Sequence, residues 1–384
     1  MAVAVAPRSE AAPAVDWPAL MHELGPRFAA RAADHDANDT FVAENFAELK
    51  ARGVVAAAVP RELGGGGAAY AELCAMVRVA AHYCGSTALA LSMHTHTVAT
   101  MAWRWRRDPQ PVEALLRRVA ADRLLLVGSG ASDWLTPSAT AERVEGGWCI
   151  TGHKTFASGA PAGDLFITQA VHQDPDAGPT ALHFAVPFDH PGIEVQDTWR
   201  ALGMRGTGSH HVHLNGAFLP DASIALRRPA GRWIPLFHLY ACIMPLPLIY
   251  AAYLGIAEAA RDSALAFARK RGDDPGLQSL VGEMENELAA ATLAHRDMVA
   301  AAGSCANPGP ETTNRVIIGR TLVAAAVARV VDKALDIVGG SAFYRAAGLE
   351  RLFRDVQGAR FHRPQQRTQL RFTGRLALGL DPEE

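Results

Sequence analysis

The 384-residue sequence predicts an α+β protein in which a β region separates two helical regions. Between Trp17 and about Trp105, segments such as FVAENFAELKARGV carry apolar residues at the three- and four-residue spacing of helices. Between Leu124 and Ile224 the chain changes to short alternating runs, such as WCITGHKTF and DLFITQAV, separated by EGG, NG and PDAGP turns. Long helical segments return from Leu236. We expect an N-terminal helical bundle, a central antiparallel β-barrel or sandwich, and a C-terminal four-helix bundle.

These changes of pattern also give the expected domain boundaries. Residues 1–16 are rich in alanine and proline and lack the basic-then-apolar order of a signal peptide, so they predict a disordered lead-in. The N-terminal helical domain is expected at 17–123, the middle β domain at 124–232 and the C-terminal bundle at 233–384.

One segment, Ala241 to Ala260, is as long and apolar as a membrane span. Pro245 and Pro247 near its start, Glu258 near its end and the charged helical run that follows favour a buried helix of the bundle instead.

Composition excludes several classes of function. The chain is 49% hydrophobic, enough for a large core, and its net charge of -2 gives no overall field for nucleic acid or an anionic membrane. Its five cysteines are odd in number and scattered, which is typical of reduced thiols and predicts a cytoplasmic protein.

Four strings, in order, resemble the acyl-CoA dehydrogenase superfamily over nearly the whole chain: VPRELGGGG, GGWCITGHKTFASGAPAGDLFITQA, LGMRGTGSHHVHLNGAFLP and ALDIVGGSAFYRAAGLERLFRDVQGARFH. Each glycine-rich string is weak by itself, whereas their common order and spacing are specific. The resemblance implies a flavin between the β domain and the C-terminal bundle, in a homodimer or homotetramer.

The resemblance also implies which residues contact the flavin. Phe156 corresponds to the aromatic residue that flanks the isoalloxazine ring, and Ser158 to the group near its N-5 atom. The GSGASD segment corresponds to the chain along the pyrimidine side of the ring, which implies contacts from Ser129, Gly130 and Ser132. Gly339 and Gly340 correspond to a Gly-Gly motif at the adenine or pyrophosphate half of a flavin held partly by a neighbouring subunit. Glycine permits close approach of backbone N–H groups, and a hydroxyl can bond a ring nitrogen.

The sequence departs from the dehydrogenase pattern at the catalytic base. Desaturation of an acyl thioester needs a carboxylate that removes the proton alpha to the carbonyl. Counting from Arg354-Asp355 places Arg363, preceded by His362, at that position, and no Asp or Glu lies between Asp355 and Asp381. The alternative position, in PLFHLYACIMPLP, has no carboxylate either.

The two-component flavin monooxygenases of the same superfamily resemble the chain better. They take reduced flavin, FMN or FAD, from a separate reductase, bind oxygen as a C-4a hydroperoxide and often place histidines in the substrate pocket. Imidazole titrates near neutrality, so His362, together with His94 and His96 in SMHTHT, are the candidate catalytic residues. Residues i and i+2 of a helix point apart, so at most one of His94 and His96 is expected to face the pocket.

The resemblance also implies contacts with a small-molecule substrate: Arg205 and Ser209 correspond to the connection that borders the substrate mouth, Arg363 stands at the family's base position, and Trp134 is expected to wall the pocket. The histidines of GSHHVHL, at 210, 211 and 213, have no accompanying carboxylate or cysteine, so strand-surface histidines are favoured over a metal site.

Three functions remain open. The first is a monooxygenase; the second is a dehydrogenase of an acyl thioester with an unrecognised base; the third is a flavin- or acyl-binding protein without catalysis. The absent carboxylate favours the first and third, whereas the flavin-contacting strings favour the first two.

Overall fold

The computed structural model describes residues 15–383. The side chain of Ser132 and the expected disordered lead-in, apart from Val15 and Asp16, lie outside this described part. Asp16 caps the first helix by accepting a 3.0 Å hydrogen bond from the backbone N–H of Ala19. Five helices precede the β region: α1 (Trp17–Asn38), α2 (Ala43–Ala51), α3 (Tyr70–Tyr83), α4 (Gly85–Trp105) and α5 (Glu113–Asp122).

The β region is one mixed sheet with a short helix, α6 (Ser132–Leu135), after its first strand. Its eight strands are β1 (Leu126–Gly128), β2 (Ala139–Val144), β3 (Gly147–Ala157), β4 (Leu165–Asp174), β5 (Gly178–Pro187), β6 (Ile193–Gln196), β7 (His210–Pro220) and β8 (Ile224–Pro229). They lie in the order β6-β7-β3-β2-β4-β5-β8, and β1 pairs with β4.

The pairing differs in one respect from the antiparallel expectation. β4 runs parallel to both β1 and β2, whereas the other neighbours are antiparallel. Alternation in the sequence reports which side chains face the core but not the direction of a neighbouring strand, so this pairing lay outside what the pattern could predict.

The C-terminal region begins with α7 (Pro235–His238), continues through a π-helical turn (Leu239–Ile243) and consists mainly of long helices. These are α8 (Pro245–Ala268), α9 (Pro275–Gly303) and α10 (Pro310–Val338), followed by the shorter α11 (Leu349–Val356) and α12 (Gln366–Ala377).

Helix α8 joins the two helical regions. It packs against α3 and α4 on one side and against α9 and α10 on the other, so the N-terminal and C-terminal helices share one hydrophobic core. The β region has a core of its own. A helix that is apolar on all sides is stable only when surrounded, and this explains why α8 has the length and composition of a membrane span while being buried within the protein.

Close contact at α8 depends on small residues. A Cβ atom at Gly255 would lie 2.1 Å from the carbonyl oxygen of Arg78, so only glycine lets α8 approach α3 this closely. On the other side, the ring Nε2 of His295 in α9 donates a 2.8 Å hydrogen bond to the carbonyl of Pro247 in α8.

Candidate functional site

Two loops of the β region converge where the sequence predicted a flavin. The loop after β1 contains Gly130, whose N–H donates a 3.0 Å hydrogen bond to the carbonyl of Thr155 at the end of β3. A Cβ atom at Gly130 would lie 3.2 Å from that oxygen and 3.4 Å from the Cβ of Phe156. The absence of a side chain at Gly130 therefore allows the two loops to touch.

Phe156 has the conformation expected of a ligand-stacking residue. A β-bulge interrupts the pairing of β3 with β7 between Lys154 and Ala157, and Phe156 lies within it at φ +57°. The residue is 58% exposed, and its ring forms a T-shaped pair with Trp199, with ring centroids 6.0 Å apart. An apolar ring held outward by an uncommon backbone conformation is suited to covering a flat ligand.

Three buried hydroxyl groups form a chain beside Phe156. The Oγ atoms of Ser158 and Ser209 are 2.7 Å apart, and Ser209 is also 2.7 Å from the hydroxyl of Thr207. Thr207 donates in turn to the carbonyl of Met204 at 2.9 Å. The structure thus brings together Ser158 and Ser209, which the sequence assigned to different roles.

A buried ion pair lies beneath the same loops. Lys154 is fully buried and its Nζ lies 2.7 and 2.9 Å from the carboxylate oxygens of Asp133. The Nζ also donates to the carbonyl of Gln169, whose side-chain amide donates to Asp133. Burial alone would raise the pKa of Asp133, but Lys154 and hydrogen bonds from Ser138 hold it below its usual value.

Ser129 belongs to this buried cluster. Its hydroxyl donates to Asp133 at 2.8 Å and lies 3.0 Å from the hydroxyl of Thr168, so the Ser129 side chain supports the loop from below. Only its backbone remains available to a ligand. The cluster was not predicted, although Lys154 has the same strand parity as the inward-facing Trp148 and Ile150, and an inward lysine requires a carboxylate partner.

A cavity, here called the Trp134 cleft, lies next to these loops, beginning where α6 follows the Gly130 loop. Its empty space is about 700 Å³ when the part open to solvent is counted. Trp134 stacks on Tyr240 of the π-helical turn, with ring centroids 5.4 Å apart and an interplanar angle of 20°. The other polar residues on its wall are Arg104, His183 and Arg228.

Of the two histidines in α4, His94 has a structural role, because it connects α4 to two other segments. Its Nε2 donates to the carbonyl of Val55 at 2.7 Å, and its Nδ1 accepts from the N–H of Leu126 at 2.9 Å. Both ring nitrogens are therefore occupied, and burial lowers its pKa to about 4. This geometry leaves His94 no free nitrogen for the predicted proton relay.

His96 lies two residues after His94 in α4 and is partly buried. Its Nδ1 is buried and has no hydrogen-bond partner among residues 15–383. Burial, together with the neighbouring His94, lowers its pKa to about 3, so the imidazole is neutral at physiological pH.

His362 lies against α8. Its Nε2 shares a 2.6 Å hydrogen bond with the hydroxyl of Tyr253, a fully buried residue. The buried guanidinium of Arg320 donates to the carbonyl of His362 at 2.8 Å. Burial, reinforced by the charge of Arg320, lowers the pKa of His362 to about 4.

The remaining predicted site residues lie elsewhere. Arg205 donates to the carbonyl of Ala201 and lies 3.6 Å from Asp39, so it ties its loop to α1. Arg363 is exposed. Gly339 and Gly340 are exposed at the end of α10, in a segment that contacts α10 and α11. The rings of His211 and His213 each meet the edge of His153, and among the described residues no group of three metal-binding side chains is found.

Comparison with known proteins agrees with this layout. The N-terminal, middle and C-terminal domain models of acyl-CoA dehydrogenase match residues 24–120, 128–217 and 248–367. L-evernosamine nitrososynthase of Micromonospora is 31% identical over 384 residues, covering 94% of this chain and 90% of the relative. The chain belongs to the acyl-CoA dehydrogenase superfamily.

The relatives within this superfamily are flavin-dependent oxidoreductases, including monooxygenases. Dibenzothiophene monooxygenase of Mycolicibacterium goodii is 25% identical, covering 90% of this chain and 89% of the relative. The structure of KijD3 in complex with FMN and dTDP-3-amino-2,3,6-trideoxy-4-keto-3-methyl-D-glucose matches with a TM-score of 0.86, 27% identity and 96% coverage of each chain. The predicted fold class and the resemblance are confirmed.

The described loops fit the flavin that this family uses. Phe156 supplies an exposed aromatic surface for stacking, Ser158 supplies a hydroxyl for a polar contact, and Gly130 lets the loop after β1 lie against the Phe156 loop.

The buried ion pair generates the first prediction. Lys154→Met leaves the carboxylate of Asp133 buried without its partner, which costs about 3–5 kcal/mol. We expect a large drop in the midpoint of urea unfolding, followed by tryptophan fluorescence, and weaker flavin binding. The double variant Asp133→Asn, Lys154→Met should recover part of the loss, since it removes both charges; equal loss in the single and double variants would contradict the assignment.

The buried histidines generate a second prediction. Burial lowers the folded-state pKa values of His94 and His295 to about 4 each, below the ordinary 6.5. Between these values the unfolded chain binds more protons than the folded chain, so stability is complete above about pH 6.5 and is lost as the pH falls toward 4. We expect the thermal midpoint to fall between pH 7 and pH 5, and His94→Gln to be less stable at pH 7 but less sensitive to acid. A midpoint independent of pH in this window would be inconsistent with neutral buried imidazoles.

Proposed function

We propose that the chain is a monooxygenase that uses reduced flavin, supplied as FMN by a separate reductase, to transfer one atom of O2 to a small organic substrate. One observation carries the proposal. Where a desaturating member of the family needs a carboxylate, this chain has Arg363, directly after His362, a neutral imidazole bonded to Tyr253. Similarity to nitrososynthase and dibenzothiophene monooxygenase, and to KijD3 with FMN, supports it.

Different residues would hold the flavin, hold the substrate and move the proton. A bound reduced flavin supplies the two electrons that reduce one oxygen atom of O2 to water while the other enters the substrate. Phe156 would cover the flavin ring, Ser158 would supply a polar contact to it, and the Trp134 cleft would hold the substrate. His362, which its low pKa keeps neutral at pH 7, would carry its ring hydrogen on Nε2 and donate it to the hydroxyl of Tyr253, leaving Nδ1 free to accept a proton from the substrate.

The decisive test supplies reduced FMN from a reductase, labelled 18O2 and a panel of amines, thioethers and indoles. We expect one 18O atom in the product, found by mass spectrometry. In parallel, anaerobic mixing of the oxidised flavoprotein with acyl-CoA thioesters should leave the flavin absorbance unchanged. Bleaching by a thioester would overturn the proposal, and a protein that binds neither flavin form would fit a non-catalytic binding protein.

The role of His362 has a matched control in the chain. His362→Ala should lower product formation at least tenfold while leaving flavin binding within about twofold, because the imidazole moves a proton but does not hold the ring. His22 also pairs with a tyrosine, its Nδ1 lying 3.1 Å from the hydroxyl of Tyr83, but on the exposed face of α1. His22→Ala should retain full activity; equal losses in both variants, or none in His362→Ala, would contradict the assigned role.

One observation favours a second function, acyl-thioester dehydrogenation. Asp355 is a buried carboxylate seven residues before His362, and burial raises its pKa to about 6, a value suited to a general base. Its Oδ1 accepts a hydrogen bond from the backbone N–H of Met204, which instead gives it a structural role. If thioesters bleach the flavin and Asp355→Asn abolishes that bleaching with the fold intact, dehydrogenation is the function.

We also infer a homodimer or homotetramer. Phe343 and Tyr344, three and four residues after Gly340, are 92% and 73% exposed, and such aromatic side chains are typical of subunit interfaces. Light scattering should give a mass of two or four chains, and Phe343→Glu should lower it; a monomeric wild-type protein would contradict the inference.

A further inference from the structure

The Trp134 cleft contains a buried cation without a counter-ion. Arg228, in β8, is only 5% exposed, and no carboxylate lies within ion-pair distance of it in the described part of the chain. Burial lowers its pKa, and no neighbouring anion opposes that shift. Burying an unpaired charge is costly, so a cation kept in this position points to an anion that arrives with a ligand.

The hydrogen-bond partners of Arg228 are all neutral. Its Nε donates to the Nε2 of His183 at 2.9 Å, one terminal nitrogen donates to the carbonyl of Pro229 at 3.2 Å, and the other donates to the carbonyl of Trp134. These contacts fix the orientation of the guanidinium while leaving its charge uncompensated. Because each terminal nitrogen carries two hydrogens, one N–H on each remains for a ligand.

The same contact fixes the tautomer of His183. Since its Nε2 accepts from Arg228, the hydrogen of the neutral ring is on Nδ1, and no residue among 15–383 accepts it. Burial, with Arg228 and Arg104 adding to it, lowers the pKa of His183 to about 3. His183 thus adds an uncharged donor beside the cation.

A second arginine, Arg104, also lines the Trp134 cleft. It lies near the end of α4 and acts electrostatically on both His183 and Tyr240. None of the described residues on the wall of the cleft is an aspartate or a glutamate. Two guanidinium groups therefore give one end of the cleft a positive potential.

The rest of the wall is apolar and partly flat. The stacked rings of Trp134 and Tyr240 form one side, and the remaining surface is mainly aliphatic and aromatic, including Ile167, Phe184 and Phe237. Such a surface favours a planar or apolar body over a polyhydroxylated one.

We propose that Arg228 and Arg104 form an acid-binding subsite, and that the substrate is an apolar, preferably aromatic, molecule bearing a carboxylate or phosphate. The inference deepens the proposed function, on which it rests for the identification of the cleft as the substrate site. Arg228 and Arg104 bind the acidic group, His183 adds a neutral hydrogen bond, and Trp134 with Tyr240 contacts the body.

The test measures binding without turnover, so it is independent of whether the chain is an oxygenase. Calorimetry on the full-length protein compares acids with neutral analogues of the same shape: indole-3-acetate with indole-3-acetamide, 2-naphthoate with 2-naphthamide, and dTDP with thymidine. We expect the acid of at least one pair to bind ten times more tightly or better, weakening with added salt. A preference in the first two pairs identifies a carboxylate, and a preference in the dTDP pair identifies a phosphate.

Variants locate the effect. Arg228→Gln and Arg104→Gln should each reduce the preference for the acid at least fivefold, and Arg228→Lys should retain part of it. Arg227→Gln is the matched control, because Arg227 is the next residue of the same strand but lies over the ring of Trp148, away from the cleft. If Arg228→Gln does not fold, the preference of Arg104→Gln for the acid over its neutral analogue still tests the proposal. Equal affinity for acid and neutral analogue in every pair, including no binding of either, or equal effects of Arg227→Gln and Arg104→Gln, would overturn the proposal.

Discussion

The ion pair between Asp133 and Lys154 joins the parts of the chain on which the candidate site is built. Asp133 is in α6, directly after the Gly130 loop, and Lys154 is in β3, two residues before Phe156. Gln169 adds a bond from β4. Because both charges are enclosed, neither can move without exposing an unpaired ion to an apolar interior, so the two loops keep a fixed separation. The same constraint places Trp134, the neighbour of Asp133, on the wall of the Trp134 cleft.

A second constraint comes from α8, around which both helical regions pack. Tyr253 belongs to this buried helix, so its hydrogen bond fixes the position of His362, the candidate base, relative to α8. A side chain in the loop after α11 is thereby held against a rigid surface, as a proton-transferring group requires.

Much of this could be predicted from the sequence, because the informative features are local. Periodicity identified the helices, alternation identified the strands, and the two prolines with Glu258 distinguished α8 from a membrane span. His94 shows the limit. Helical spacing indicates that His94 and His96 diverge, but only the packing of α4 against β1 and the Val55 turn determines that both nitrogens of His94 are used. Lys154 is an intermediate case. Alternation along β3 predicts that its side chain faces inward, but only the folded structure shows that Asp133 is its partner.

The Trp134 cleft could not be predicted, because its polar residues come from α4, β5 and β8 and meet only through the sheet order. Arg228 shows the limit most clearly: its place in β8 follows from the sequence, but the absence of a carboxylate beside it within residues 15–383 is a property of the packing. A guanidinium enclosed without an anion pays a desolvation cost that a bound anion would offset, so the charge of this cleft is a physical reason for it to bind an acidic group.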